Sequence, residues 1–222
     1  MPKSDIETYP QWRDRVINPI SPTFCGAKWG NVTIWLNSGM TASCHHPPAH
    51  KIPLEELKRS HKAIHNTEHK KKARQDLLNG IQTPECGYCW RAEAHGPQVV
   101  SDRVFKSVIY SEREIKEFAR FYGAEKDVAP LTMEVAFDNL CNQACSYCNS
   151  SFSSTWATDI KTNGPYKNMG TQGHQAFQHD GDDANSGVTI HPITKERSNP
   201  YLDAFWAWWH EELSSSLMEL RV

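Results

Sequence analysis

The chain predicts an α/β fold, with a small cysteine-rich α+β unit in front of the first strand–helix units of a parallel β/α array. Three observations carry this expectation. Val32, Ile34 and Leu36 alternate with Thr33 and Trp35, the period-two pattern of a half-buried strand. LTMEVAFD, after Pro130, has the make-up of a buried strand and leads into helical sequence. Seven cysteines divide into Cys25, Cys44, Cys86 and Cys89 in the front part and Cys141, Cys145 and Cys148 just after the second strand.

The elements follow in order. Residues 1–20 read as a polar N-terminal extension with few core positions. Asn37-Ser38-Gly39 is a turn, so Met40 to Ser43 returns as a hairpin strand that ends at Cys44. Residues 47–53 are a proline-punctuated loop, and Leu54–Leu57 starts a short helix. Asn66 or Thr67 caps a helix that runs to Gly80. Pro84–Cys89 is a tight C-x-x-C turn. Ser111 to Glu114 forms a capping box, and that helix stops at Gly123. SSFSSTWATDIKTN is helical, and residues 163–200 read as a long polar loop. Pro200 opens an aromatic helix, and MELRV is a closing strand.

Composition excludes several classes. The 222 residues are 38% hydrophobic and 23% charged, and the net charge is −2. Mean hydropathy is −0.65. The overall charge points to neither nucleic acid nor membrane. No apolar run approaches the roughly 20 residues of a membrane span. MPKSDIETYPQWRDR has no apolar signal-peptide core, so a cytoplasmic location is expected. An odd thiol count without an export signal speaks against a disulfide framework.

The thiol spacing carries the chemistry. Cys141-Asn-Gln-Ala-Cys145-Ser-Tyr-Cys148 is C-x3-C-x2-C directly after a predicted strand. Three thiolates on one short loop hold three irons of a cubane, or form a zinc site completed by a distant fourth ligand. Four thiols spread from Cys25 to Cys89 close either a zinc ribbon or a small cluster domain.

At the three-cysteine loop the chain resembles the radical S-adenosylmethionine (radical SAM) superfamily, whose C-x3-C-x-aromatic-C loop follows the first strand of a partial β/α barrel. The resemblance implies that Cys141, Cys145 and Cys148 bind a [4Fe–4S] cluster and that its open iron binds S-adenosylmethionine. Tyr147 would lie near the adenine side. The reduced cluster then splits the sulfonium, and a 5′-deoxyadenosyl radical abstracts hydrogen from a substrate. The segments FCGAKWGNVTIWLNSGMTASC and LLNGIQTPECGYCW resemble a twitch or SPASM auxiliary module of the kind that phage and cyanobacterial members place before the barrel. This implies a second [4Fe–4S] cluster on Cys25, Cys44, Cys86 and Cys89, saturated by protein and serving electron relay or structure. It also implies a reductant protein such as flavodoxin or ferredoxin.

The resemblance divides the chain into an N-terminal extension (1–20), an auxiliary module (21–98), a linker with a helix (99–130) and the N-terminal portion of a barrel (131–222). A full radical SAM barrel has about six strand–helix units, and even an eight-unit barrel takes about 250 residues. The family's Gly-Gly-Glu motif occurs nowhere. The expectation is therefore part of a longer or split enzyme, with a second chain completing the barrel. A degenerate product and a non-catalytic zinc- or cluster-binding interaction module are the alternatives.

Weaker signals take plainer readings. His45, His46 and His50 belong to a solvated loop near the auxiliary site. The break at Asn66-Thr67 separates His61 and His65 from His69. Lys70, Lys71, Lys72 and Arg74 form a solvated helix face. Trp206, Trp208 and Trp209 pack their helix on the barrel sheet, and the aspartates at 180, 182 and 183 sit in a loop near the substrate mouth.

Overall fold

The computed structural model describes residues 6–138, 140–150, 152–166, 168 and 198–222. Most of the 163–200 loop, with its aspartates, lies outside the described residues. The fold is mixed α/β, built on one five-stranded mixed sheet. The strands are β1 (Asn31–Trp35), β2 (Met40–Ala42), β3 (His50–Lys51), β4 (Thr132–Ala136) and β5 (Glu219–Arg221). Their order across the sheet is β3-β2-β1-β4-β5.

The front hairpin and the later strands share this sheet. β1 pairs antiparallel with β2 at Thr33↔Ala42 and parallel with β4 at Thr33↔Glu134. β4 pairs parallel with β5 at Glu134↔Arg221. The Ser154–Asn163 and Pro200–Trp208 helices lie in the connection from β4 to β5.

Alternation along the strands gives the sheet two unlike faces. Val32, Ile34, Met133 and Val135 are buried and join Phe205, Trp208 and Leu213 in one core. Asn31, Thr33 and Trp35 line up with Thr132, Glu134 and Ala136 on the opposite face. A polar cavity of about 260 Å³ lies over that face, with Thr33, Glu134, Glu219 and Arg221 in its wall. Trp208 packs in the core as expected, whereas Trp206 is largely exposed.

A second core lies among the helices that precede β4. Trp12, Ile17, Phe24, Trp29, Val104, Tyr110 and Ile115 form it. The polar lead-in expected for residues 1–20 therefore does not hold over 9–17, where Trp12 and Ile17 are fully buried. A short helix, Tyr9–Trp12, continues into a wider turn over Arg13–Ile17. That turn places Trp12, Val16 and Ile17 inward, while its charges sit among them in sequence and mask the pattern.

Local signals account for most element ends. Thr67 caps the Glu68–Leu78 helix through Lys70 N–H, and Gly80 at φ 77° ends the segment. Ser111 and Glu114 form the reciprocal capping box of the Glu112–Glu117 helix. Gly39 turns the hairpin at φ 64°, and a Cβ there would run into the Tyr201 ring. Pro84–Cys89 departs from the expected turn. A 3-10 turn, Pro84–Cys86, runs straight into the Gly87–Glu93 helix, so Cys89 sits on a helix. The loop expected at 47–53 also contributes the two-residue strand β3.

Candidate metal centres

The four front cysteines converge, although 64 positions separate the first from the last (89 − 25). Cys25 precedes the Ala27–Gly30 turn that feeds β1, and Cys44 follows β2. Cys86 and Cys89 come from the start of the Gly87–Glu93 helix. All four line one small cavity with Lys28, His46, Asp102, Arg103 and Lys106. None is in a disulfide.

Three ties hold these segments together. Arg103 is buried, bonds the Phe24 carbonyl at 2.9 Å, and grips both carboxylate oxygens of Glu93. Lys28 pairs with Glu85, next to Cys86, and His69 bonds the other Glu85 oxygen at 2.9 Å. The Gly26 N–H donates to Ser107 Oγ at 2.9 Å.

The thiols are set among hydrogen-bond donors. Lys106 Nζ lies 3.3 Å from Cys44 Sγ, and the His46 backbone N–H points at the same sulfur at 3.5 Å. Burial, helped by the neighbouring thiols, pushes the Cys25 thiol up to about 12. Burial also pushes the Cys89 thiol up. Four crowded thiols repel one another as thiolates, and a bound cation is the physical means of holding them together deprotonated.

The donor set suits either a single zinc ion or a multi-iron core. Tetrahedral zinc with bonds of about 2.3 Å draws its sulfurs to within about 3.8 Å of one another. Among the described residues, no three thiols have their sulfurs all within 4.8 Å of one another. A cubane puts each sulfur on a different iron and asks for wider spacing.

His45, His46 and Asp102 do come that close together. His46 Nε2 lies 2.8 Å and His45 Nε2 3.3 Å from Asp102 Oδ2. However, the Lys106 ammonium stands 2.6 Å from His45 Nδ1 and 3.9 Å from Asp102. Its positive charge already occupies the place of a cation. His45 is exposed, but His46 is half-buried and stacks on Tyr88, so the solvated-loop expectation holds only for the first of the pair.

The three-cysteine loop is built differently. It follows β4, and the Ser154–Asn163 helix pins it at its N-terminus. Ser154 and Thr155 hydroxyls donate to the Cys141 carbonyl at 3.1 and 2.5 Å. Ser153 caps the helix and also donates to the Gln143 carbonyl at 2.9 Å. The Trp156 indole N–H donates to the Cys145 carbonyl at 3.1 Å. Backbone carbonyls are thereby held while the three thiols stay partly exposed. Tyr147 is 82% exposed. Its hydroxyl sits against the Cys145 thiol, and that contact raises the phenol.

The two thiol groups lie beyond opposite ends of the β1–β4 pair. Asn31 opens β1, pairs with Thr132 at the start of β4, and donates to the Ser43 carbonyl beside Cys44. Cys141 comes after Ala136, the last residue of β4. Five residues of strand, about 16 Å at about 3.3 Å per residue, therefore separate the two ends. The polar sheet face spans that interval.

Several residues around these sites carried no sequence signal of their role. Asp102, Arg103 and Lys106 join the front cavity through the fold, with no motif marking them. The solvated face expected for Lys70 to Arg74 is overturned for two members, because Lys70 is 2% and Arg74 0% exposed. Compared with family models, with curated proteins and with solved structures, the chain finds no match.

Proposed function

We propose that this chain is an iron–sulfur protein of the radical SAM type, in which Cys141, Cys145 and Cys148 hold a [4Fe–4S] cluster whose fourth iron takes S-adenosylmethionine. One observation carries the reading. A C-x3-C-x2-C loop leaves the C-terminal end of a parallel strand and is anchored through its backbone carbonyls, with its three thiols partly exposed. In parallel β/α arrays that end of the strands is where reacting groups assemble. When bound by Cys141, Cys145 and Cys148, such a cluster would supply one-electron reductive cleavage of S-adenosylmethionine. The chain's own residues position and shield. Ser153, Ser154, Thr155 and Trp156 fix the loop, and Tyr147 stands beside Cys145 on the solvent side.

The front cysteines hold a second, protein-saturated cluster in this reading. Its place at the opposite end of β1 and β4 favours relay or structure over contact with substrate. The electron enters from a small reductant protein such as flavodoxin or ferredoxin. Among the described residues, β5 pairs only with β4, and Phe105, Lys106, Ile109 and Tyr110 share the wall of the cavity on the polar sheet face. In this reading further strands, from a partner chain or additional chain, pair with the open edge at β5.

The test is metal and product analysis of anaerobically reconstituted protein. About eight irons and eight sulfides per chain are expected for two cubanes. With S-adenosylmethionine and reductant, 5′-deoxyadenosine should form once the remaining strands are supplied. One or two zincs and no iron would overturn the reading. The second reading, a non-catalytic zinc- or cluster-binding module, draws on the better enclosure of the four-cysteine cavity. It predicts metal at the front site alone.

A further inference from the structure

The four-cysteine cavity is backed by buried positive charge that its neighbours do not neutralise. Lys28 is 4% exposed and paired with Glu85. Arg103 is 2% exposed and paired with Glu93. Lys106 leans on Cys44 Sγ at 3.3 Å, with Asp102 no nearer than 3.9 Å. Behind them, the Lys70 ammonium bonds only neutral oxygens, Thr41 Oγ1 at 2.7 Å and the Ala42 carbonyl at 3.3 Å. Arg74 is fully buried and bonds the Lys28 carbonyl, Asn66 Oδ1 and the His65 ring.

These contacts place the second layer against the first. Ala42 is two residues before Cys44, and Lys28 is three after Cys25. Lys28 and Arg103 have carboxylate partners and Arg74 lies in the field of Asp127, whereas Lys70 bonds no carboxylate and Lys106 stands 3.9 Å from Asp102. Burial pushes Lys70 well down and Arg74 down to about 9, with Glu85 and Asp127 opposing the respective shifts. Four thiolates around a core of charge +2 carry a net −2, opposite in sign to these cations.

We propose that Lys70, with Lys28 and Lys106, is the built-in counter-charge of an anionic four-thiolate cluster in the front cavity and raises its reduction potential. The inference rests on the cluster reading above. Reduction adds one negative charge to the core, and nearby cations stabilise that state. Lys70 touches no thiol, so it acts as a positioning charge and not as a ligand.

The test uses the full chain with Cys141, Cys145 and Cys148 all changed to Ala, which isolates the front cluster. Its midpoint is read by redox titration followed with electron paramagnetic resonance. Lys70→Met should lower the reduction equilibrium about tenfold, about 59 mV for one electron, and Lys70→Arg should restore it. The metal-free Lys70→Met protein should be no less stable to urea than its parent, because an unpaired buried cation has been removed. Lys106→Met, at a half-buried position that tolerates change, should lower the midpoint in the same direction. An iron cluster whose midpoint is unmoved by both substitutions would overturn this inference alone. A front site that takes zinc and no iron would overturn the cluster reading as well.

Discussion

The two thiol groups solve different physical problems. The front site gathers ligands from three separate segments and depends on buried ion pairs and tertiary contacts to bring them together. The loop site takes its three ligands from eight consecutive residues and needs only a strand before it and a helix cap after it. The front thiols line one small cavity ringed by cations, whereas the loop thiols sit among exposed neighbours such as Asn142, Gln143, Ser146 and Tyr147. The difference teaches that thiols drawn from distant segments depend on the fold as a whole to meet, while thiols within one loop need only local anchoring.

The sharpest way to break this comparison is by exchange of single thiols. Cys145→Ala should abolish 5′-deoxyadenosine formation in the completed enzyme, whereas Cys86→Ala should leave cofactor cleavage partly intact. Equal loss in both, measured by chromatography of the nucleoside product, would erase the division of roles.

Next in size is a core substitution beside the front site. Trp29 is fully buried, stacks on Phe24 at 4.9 Å, and lies on the turn between Cys25 and β1. Trp29→Ala should cost about 3–5 kcal/mol in urea denaturation. It should also strip metal from the front cysteines, because Cys25 rides on the same turn. Retention of front-site metal at that stability loss would show that the site does not depend on the core.

The smallest expected effect is at the loop. Ser153 is fully buried, caps the Ser154–Asn163 helix and holds the Gln143 carbonyl. Ser153→Ala should cost about 1 kcal/mol of stability. Reconstituted iron should fall from about eight toward about four per chain, with the front cluster kept. Loss of iron from both sites alike would mean that the loop is not independently anchored.

Much of the framework was legible because its signals are local. Val32, Ile34 and Leu36 announced β1, and the same alternation fixed which side of the sheet is polar. Thr67, Ser111 and Gly123 announced helix ends through hydrogen bonds and φ values that only a few residue types supply. The strand before Cys141 and the helix after Cys148 were equally readable. The N-terminal core was hidden, because Trp12, Val16 and Ile17 are interleaved with Arg13, Asp14 and Arg15 on a short, widened turn. The Lys70–Arg74 stretch misled for a related reason. Charge predicts exposure unless tertiary partners are present, and Thr41, Ala42, Lys28, Asn66 and His65 come from elsewhere in the chain.

Sequence alone determined β1, β2, β4 and β5, the capped helices, and the number and spacing of the seven thiols, because each depends on neighbours within a few positions. Tertiary structure alone decided that those four thiols meet, that buried cations surround them, and that the two sulfur sites stand at opposite ends of one sheet. Those facts depend on which distant segments pack together, and packing follows from shape and charge summed over the whole fold.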